Sequence, residues 1–202
     1  MGEPVGLYLI VEAKAGASAL EWLKAALAAG KFASVLVIAP AGQTLDAGTA
    51  RPFVEAIQAK DAAALIDDDA QLARTLRADG VHLRGGETLE ARAREAREIL
   101  GTRYILGAEA HSRHDAMMLG ELGAEYVAFA GGEQAGFIGW WAEIFEIPCV
   151  AFGMATPEDA AAMARAGADF IAFGLDGGAS AADVQDRVRA FAQAVSGAKL
   201  DA

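Results

Sequence analysis

Ala78-Asp79-Gly80-Val81-His82-Leu83 returns twice further along the chain, as Ala124-Glu125-Tyr126-Val127-Ala128-Phe129 and Ala168-Asp169-Phe170-Ile171-Ala172-Phe173. Each copy is an alanine, an acid and a short, mostly apolar run of strand length. The offsets are 124 − 78 = 46 and 168 − 124 = 44 residues, room for two strand–helix units each. A repeat of that period marks a closed, repetitive barrel rather than an open doubly wound sheet. The candidate strands are Gly6–Val11, Ser34–Ala39, Ala63–Asp67, Gly80–Leu83, Arg103–Gly107, Tyr126–Ala130, Cys149–Phe152 and Phe170–Phe173. They are apolar runs rather than clean alternations, as parallel strands covered on both faces should be.

Amphipathic stretches lie between them, among them Ala19–Ala29, Ala70–Arg77, Leu89–Leu100, Asp115–Leu122, Pro157–Ala166 and Ala181–Val195. In the last, Val184, Val188, Phe191, Ala192 and Val195 make one helical face. Ser18 to Glu21 has the form of a capping box, and Ser112, Thr156 and Ser180 each stand three residues before an aspartate. Pro157 fits the first turn of a helix. The tally is about eight βα units, so the fold class expected is α/β, a single (β/α)8 TIM barrel over residues 1–202. The tail after Ser196 is expected to be loose.

Composition narrows the partners. The formal net charge is −11, from 17 Lys+Arg against 28 Asp+Glu. That argues against nucleic acid and anionic membranes, which need clustered positive charge. No apolar run reaches the ~20 residues of a membrane span, and the first residues carry no basic secretory n-region. The single cysteine, Cys149, suits a reducing cytosol and a cytoplasmic setting. Its apolar surroundings suit a small buried hydrophobe rather than a reactive thiol. An acidic protein that takes phosphate must bring it to backbone N–H groups, a few Arg or Lys, or a bound cation.

Barrel chemistry sits at the C-terminal ends of strands. Asp68 and Glu87 follow neighbouring strands, and carboxylates there can hold Mg²⁺. The alternative is that Asp67-Asp68-Asp69 caps the next helix. Gly153 ahead of Thr156-Pro157, and Gly174 with Gly177-Gly178, stand where barrels bind phosphate on backbone amides, or serve tight turns. His82 is a packing residue or a ligand contact. His111 and His114 form a metal pair or, more simply, solvated helix-end residues. Trp140-Trp141 reads as a helix anchor more readily than as a substrate platform.

Leu65-Ile66-Asp67-Asp68-Asp69-Ala70-Gln71-Leu72-Ala73, followed by Ala78 to Leu83, resembles the N-D-R-x-x-L-A … A-D-G-V-H-L-G-Q pattern of the thiamine phosphate synthase and thiazole tautomerase family. Leu7-Tyr8-Leu9-Ile10-Val11 resembles that family's first strand, and Ile147-Pro148-Cys149-Val150-Ala151-Phe152-Gly153 its I-P-V-x-A-I-G-G phrase. The pieces occur in order over nearly the whole chain. The resemblance implies an enzyme that joins a pyrimidine diphosphate to a thiazole phosphate and releases pyrophosphate. In that family Mg²⁺ holds the leaving group, and the pyrimidine passes through a cation-like state sheltered from water. Carried over residue by residue, Asp68 and Glu87 fall at the metal carboxylates. His82 falls at the pyrimidine contact, Asp67 at the neighbouring Asn, and Glu109 at a Ser after the fifth strand. Gly153 and Met154 fall at the phosphate glycine pair.

The departures are concentrated on phosphate. The family's Q-x-R-x-K after the second strand is Leu36-Val37-Ile38-Ala39-Pro40, and Gly131–Gly139 lacks the T-x-T-K-type lysine. Charge-assisted contacts are worth roughly 1.5–3 kcal/mol each, so their loss should weaken diphosphate binding by several kcal/mol. Arg84, new beside the carboxylates, would restore part. The expectation is therefore a synthase-like transferase of weak or altered activity on small phosphorylated substrates. A non-catalytic paralogue serving as a binding module is the alternative. A thiazole phosphate tautomerase is a further one, although the His that branch uses after the sixth strand is absent. Barrels of this kind commonly pair as homodimers, but no interface signal in the sequence supports it here.

Overall fold

The computed structural model describes residues 4–14, 17–175 and 180–198. The elements alternate strictly: β1 (Gly6–Glu12), α1 (Ala17–Ala29), β2 (Phe32–Ile38), α2 (Ala47–Gln58), β3 (Ala63–Asp67), α3 (Ala70–Leu76), β4 (Gly80–Leu83) and α4 (Leu89–Leu100). They continue as β5 (Ile105–Glu109), α5 (Arg113–Glu121), β6 (Tyr126–Phe129), α6 (Gln134–Ile144), β7 (Cys149–Ala151), α7 (Pro157–Ala166), β8 (Phe170–Gly174) and α8 (Ala181–Ala198). The strands are all parallel and close into a barrel in sequence order, β8 pairing with β1 through Leu7 opposite Ile171 and Leu9 opposite Phe173. The expected single (β/α)8 barrel is the fold.

Two apolar layers follow from the two faces of each strand. Leu7, Leu9 and Val11 of β1 pack outward against the helices with Val35, Val37, Ala64, Ile66, Ile171 and Phe173. Tyr8, Leu36, Leu65, Tyr126, Ala128, Val150 and Ala172 fill the interior. This phase decides what reaches the mouth. Stepping by two from Leu65, Val150 and Ala172 brings Asp67, Phe152 and Gly174 to the inside. By the same alternation His82, between outward Val81 and Leu83, points inward, and so does Glu109.

The threefold repeat has a mechanical meaning at the opposite, N-terminal face. Asp79 accepts from the Ala64 N–H at 2.8 Å, Glu125 from the Leu106 N–H at 2.7 Å and Asp169 from the Cys149 N–H at 2.9 Å. The backbone N–H of each acid returns a bond to the carbonyl of the same residue. Each even strand is thus stapled by its acid to the start of the odd strand before it. Asp169→Ala would leave the buried Cys149 N–H without that acceptor, and should lower unfolding stability by about 1–2 kcal/mol in a urea melt.

Helix starts match the sequence at Ser112, Thr156 and Ser180. Their hydroxyls accept from the N–H of Asp115, Asp159 and Asp183 at 3.1, 3.1 and 3.2 Å. Ser18 is a correction: α1 is already helical at Ala17, so Ser18 lies within the first turn and does not cap it. The fifth strand starts at Ile105 rather than Arg103, because Arg97 donates to the carbonyls of Gly101 and Tyr104 and holds those residues in a turn. The second begins earlier, at Phe32, a buried ring packed on Phe173. Beyond Ser196, α8 continues through Ala198, with Val195 and Ala198 buried; residues 199–202 lie outside the described residues. Trp141 is the expected anchor, buried, donating to the Ile147 carbonyl at 2.7 Å and stacked on Phe145. Cys149 is buried, and burial pushes its thiol up to about 12. No helix among the described residues is long and apolar enough to cross a membrane.

Candidate active site

His82 is 1% exposed at the centre of the barrel. Its Nδ1 is 2.7 Å from the Tyr126 hydroxyl, which lies 3.0 Å from the hydroxyl of Tyr8. The Phe152 ring lies parallel to the imidazole, with centroids 4.8 Å apart. Tyr126 reaches this position because residue 107 is glycine: a Cβ there would sit 1.9 Å from Tyr126 Cζ. Burial holds the imidazole pKa down at about 3, with the charge of Arg84 adding to the effect, so His82 is neutral. Its Nε2 is buried and has no hydrogen-bond partner. Burial likewise raises both tyrosines, so neither is ionised at neutral pH.

A charged layer rims this apolar centre. Arg84 lies across the mouth with Nε 3.2 Å from Asp67 Oδ1 and Nη2 on Oδ2, a two-pronged pair. Burial raises the Asp67 carboxyl, and Arg84 only partly offsets it, while Asp67 in turn raises the more exposed Arg84. Arg92, from the first turn of α4, donates through Nη1 to Asp68 and through Nη2 to the carbonyl of Arg84. The Arg84 N–H also approaches Asp68 Oδ1 at 3.3 Å. Asp68 adopts φ +56°, a left-handed backbone that turns it off the barrel axis toward α4. Asp69 caps α3, accepting from the Leu72 N–H at 2.8 Å. The three consecutive aspartates therefore divide: one enters the mouth, one meets Arg92, and one is the helix cap that the spacing allowed.

Glu109 is half-buried at the end of β5, with Oε1 3.1 Å from His111 Nε2. His111 and His114 are both exposed, and among the described residues no three His, Cys, Asp or Glu side chains converge as a metal site. Glu87 is exposed on the loop before α4 and makes no hydrogen bond or ion pair with the described residues. Oδ1 of Asp68 takes Arg92 and the Arg84 N–H, and Glu87 is not drawn toward it, so these two carboxylates do not converge as a cation site among the described residues.

The expected phosphate cradle is partly closed. Gly153 takes φ +79°, a turn that favours glycine, with open space where a Cβ would stand. The Met154 N–H, however, donates to the Ala172 carbonyl at 2.9 Å, and its side chain is buried. Arg187 of α8 donates to the carbonyls of Gly174 and Ala155, both at 3.2 Å, and so places a guanidinium between the seventh and eighth loops. Gly177 and Gly178 lie outside the described residues. Ile38, where the resemblance led one to look for a cation, packs with the interior cluster beside Ile10.

Sequence reasoning missed Tyr8, Tyr126, Phe152, Arg92 and Arg187. The first three were legible in principle, since each is in phase with an interior residue on its own strand. The two arginines were not, since nothing in their helical surroundings separates them from solvated arginines.

Comparison with known proteins agrees with this fold. Residues 7–174 match the family model described as thiamine monophosphate synthase. A thiamine-phosphate synthase of Erythrobacter litoralis is 36% identical over 212 residues, covering 96% of this chain and 97% of that one. Another, from Rhodospirillum centenum, is 41% identical over 166 residues, covering 74% and 77%. Among solved structures, a thiamine phosphate pyrophosphorylase from Pyrococcus furiosus superposes with a TM-score of 0.79 at 22% identity over 96% of each chain. A tryptophan synthase chain from Mycobacterium tuberculosis reaches 0.74 at 12% identity, covering 96% of this chain and 93% of that one, so the superpositions speak for the fold alone. The sequence matches go further: the chain belongs to the thiamine monophosphate synthase family.

Proposed function

We propose that this chain is a transferase that joins a pyrimidine diphosphate to a thiazole phosphate and releases pyrophosphate, with activity lowered by its missing phosphate cations. The observation that carries the reading is the unpartnered Nε2 of His82, buried at the centre of a mouth whose rim holds Asp67 and Glu109. A buried imidazole nitrogen without a partner is costly to keep unless a ligand meets it. The carboxylates of Asp67 and Glu109 favour positive charge developing on a pyrimidine held beside them. Phe152, Tyr8, Ile10 and Ile38 line the same space with apolar surface, which keeps water from such a cation.

The departing pyrophosphate needs positive charge. Arg84 and Arg92 supply it here in the place where a cation would otherwise be held, each guanidinium keeping N–H groups beyond those its carboxylate uses. Ile38 and Pro40 supply none. Thermal-shift titrations with each substrate test the reading. Both should raise the melting temperature, and Arg84→Ala should weaken the diphosphate response at least tenfold. A chain that responds to neither substrate is a binding module for something else.

A further inference from the structure

Tyr8, Tyr126 and His82 form a chain in which Tyr126 does not accept from both neighbours, since its own buried proton would then have no acceptor, and two placements of the protons remain. In the first, His82 Nδ1 carries hydrogen and donates to Tyr126, which donates to Tyr8. The Tyr8 proton is then left without an acceptor on a residue only 1% exposed, and Nε2 is left as an unmet acceptor. In the second, Tyr8 donates to Tyr126 across 3.0 Å and Tyr126 donates to a bare Nδ1 across 2.7 Å. Both hydroxyl protons are then placed, and Nε2–H is the one orphaned donor. Buried hydroxyl protons without acceptors are disfavoured, so the second arrangement wins. The neutral imidazole has two tautomers, and its hydrogen-bond partner selects between them.

We infer that Tyr126, backed by Tyr8, is a positioning residue that fixes His82 as its Nε2–H tautomer, so that the imidazole offers a proton donor to an acceptor atom of the ligand in the mouth. Phe152 covers one face of the ring at 4.8 Å and 2°, and the Tyr126 ring lies nearly parallel at 5.8 Å and 14°. The ligand therefore meets the imidazole edge-on, through an in-plane acceptor. A ring nitrogen of a planar heterocycle has that geometry. The identity of the ligand rests on the transferase reading above, whereas the tautomer does not.

Nitrogen-15 NMR of the full chain, with long-range couplings within the imidazole, tests this at neutral pH. His82 is assigned by difference from His82→Gln. The expected wild-type pattern is a pyrrole-type Nε2 and a pyridine-type Nδ1. Tyr126→Phe removes the donor and should mix or reverse the tautomers, with a tenfold or larger rise in KM for the pyrimidine diphosphate and a smaller change in kcat. Tyr8→Phe leaves Tyr126 able to donate and should keep the tautomer, which tests the relay even if Tyr126→Phe does not fold. An Nδ1–H or doubly protonated His82 in the wild type overturns the inference, as does a tautomer that Tyr126→Phe leaves unchanged. If the predicted tautomer is found but no transferase turnover, the relay stands and the transferase reading fails.

Discussion

Gly107→Ala should destabilise the barrel by about 3 kcal/mol and remove whatever activity the mouth has. The new Cβ would sit 1.9 Å from Cζ of Tyr126, and 2.1 and 2.4 Å from the ring's two Cε atoms. The obstacle is a buried ring held by a hydrogen bond to His82, so it cannot swing aside as an exposed side-chain end would. Overpacking of this kind typically costs about 1–3 kcal/mol, and the upper end applies where a ring must leave its site. Tyr126 would also be withdrawn from His82, leaving a second imidazole nitrogen unmet. Urea melts measure the stability term, and the imidazole NMR pattern measures the site. An alanine variant with wild-type stability and an unchanged His82 signature would show that the ring does not lie over position 107.

The second large effect is acid sensitivity. Burial holds the folded-state pKa of His82 at about 3, against 6.5 for an unrestrained imidazole. Between those values the unfolded chain binds a proton that the folded chain does not, so stability rises with pH across that window. The contribution is fully present above about pH 6.5 and is lost as pH falls toward 3, at up to about 1.4 kcal/mol per pH unit. Asp67 works in the opposite sense, since its folded-state pKa is raised, but it is common to wild type and variant. The measurement is the stability difference between wild type and His82→Asn from pH 7 to pH 4. Wild type should lose stability faster, by a few kcal/mol over that range. Parallel curves would mean that the imidazole takes up protons freely and is not buried as described.

The fold was legible because its decisive signal is repetitive. The Ala-acid-strand phrase marks a staple formed three times at the N-terminal face, and the period between copies counts βα units. Helix caps at Ser112 and Thr156 were readable because a hydroxyl three residues before an acid is a local arrangement. Ser18 failed for the same reason, since its local pattern does not say whether the residue before it is already helical. At the site, strand phase carried Asp67, His82 and Glu109 to the mouth together. Ion pairing between elements was not legible. Nothing in the sequence says that Arg92, ten residues after His82, swings back to Asp68, or that Arg187 reaches the carbonyls of Gly174 and Ala155. Those pairings depend on helix placement over the barrel, and they determine whether a carboxylate is free for a cation.

The most direct measurement is product formation. The purified 202-residue chain is incubated with the pyrimidine diphosphate and the thiazole phosphate, with the joined phosphate ester and pyrophosphate both quantified over time, for wild type and His82→Gln. The transferase reading predicts the two products in equal amounts, formed slowly, and at least tenfold more slowly by the variant. A folded chain that yields neither product, or yields them equally with and without His82, contradicts it and leaves a barrel of this family that binds without catalysing.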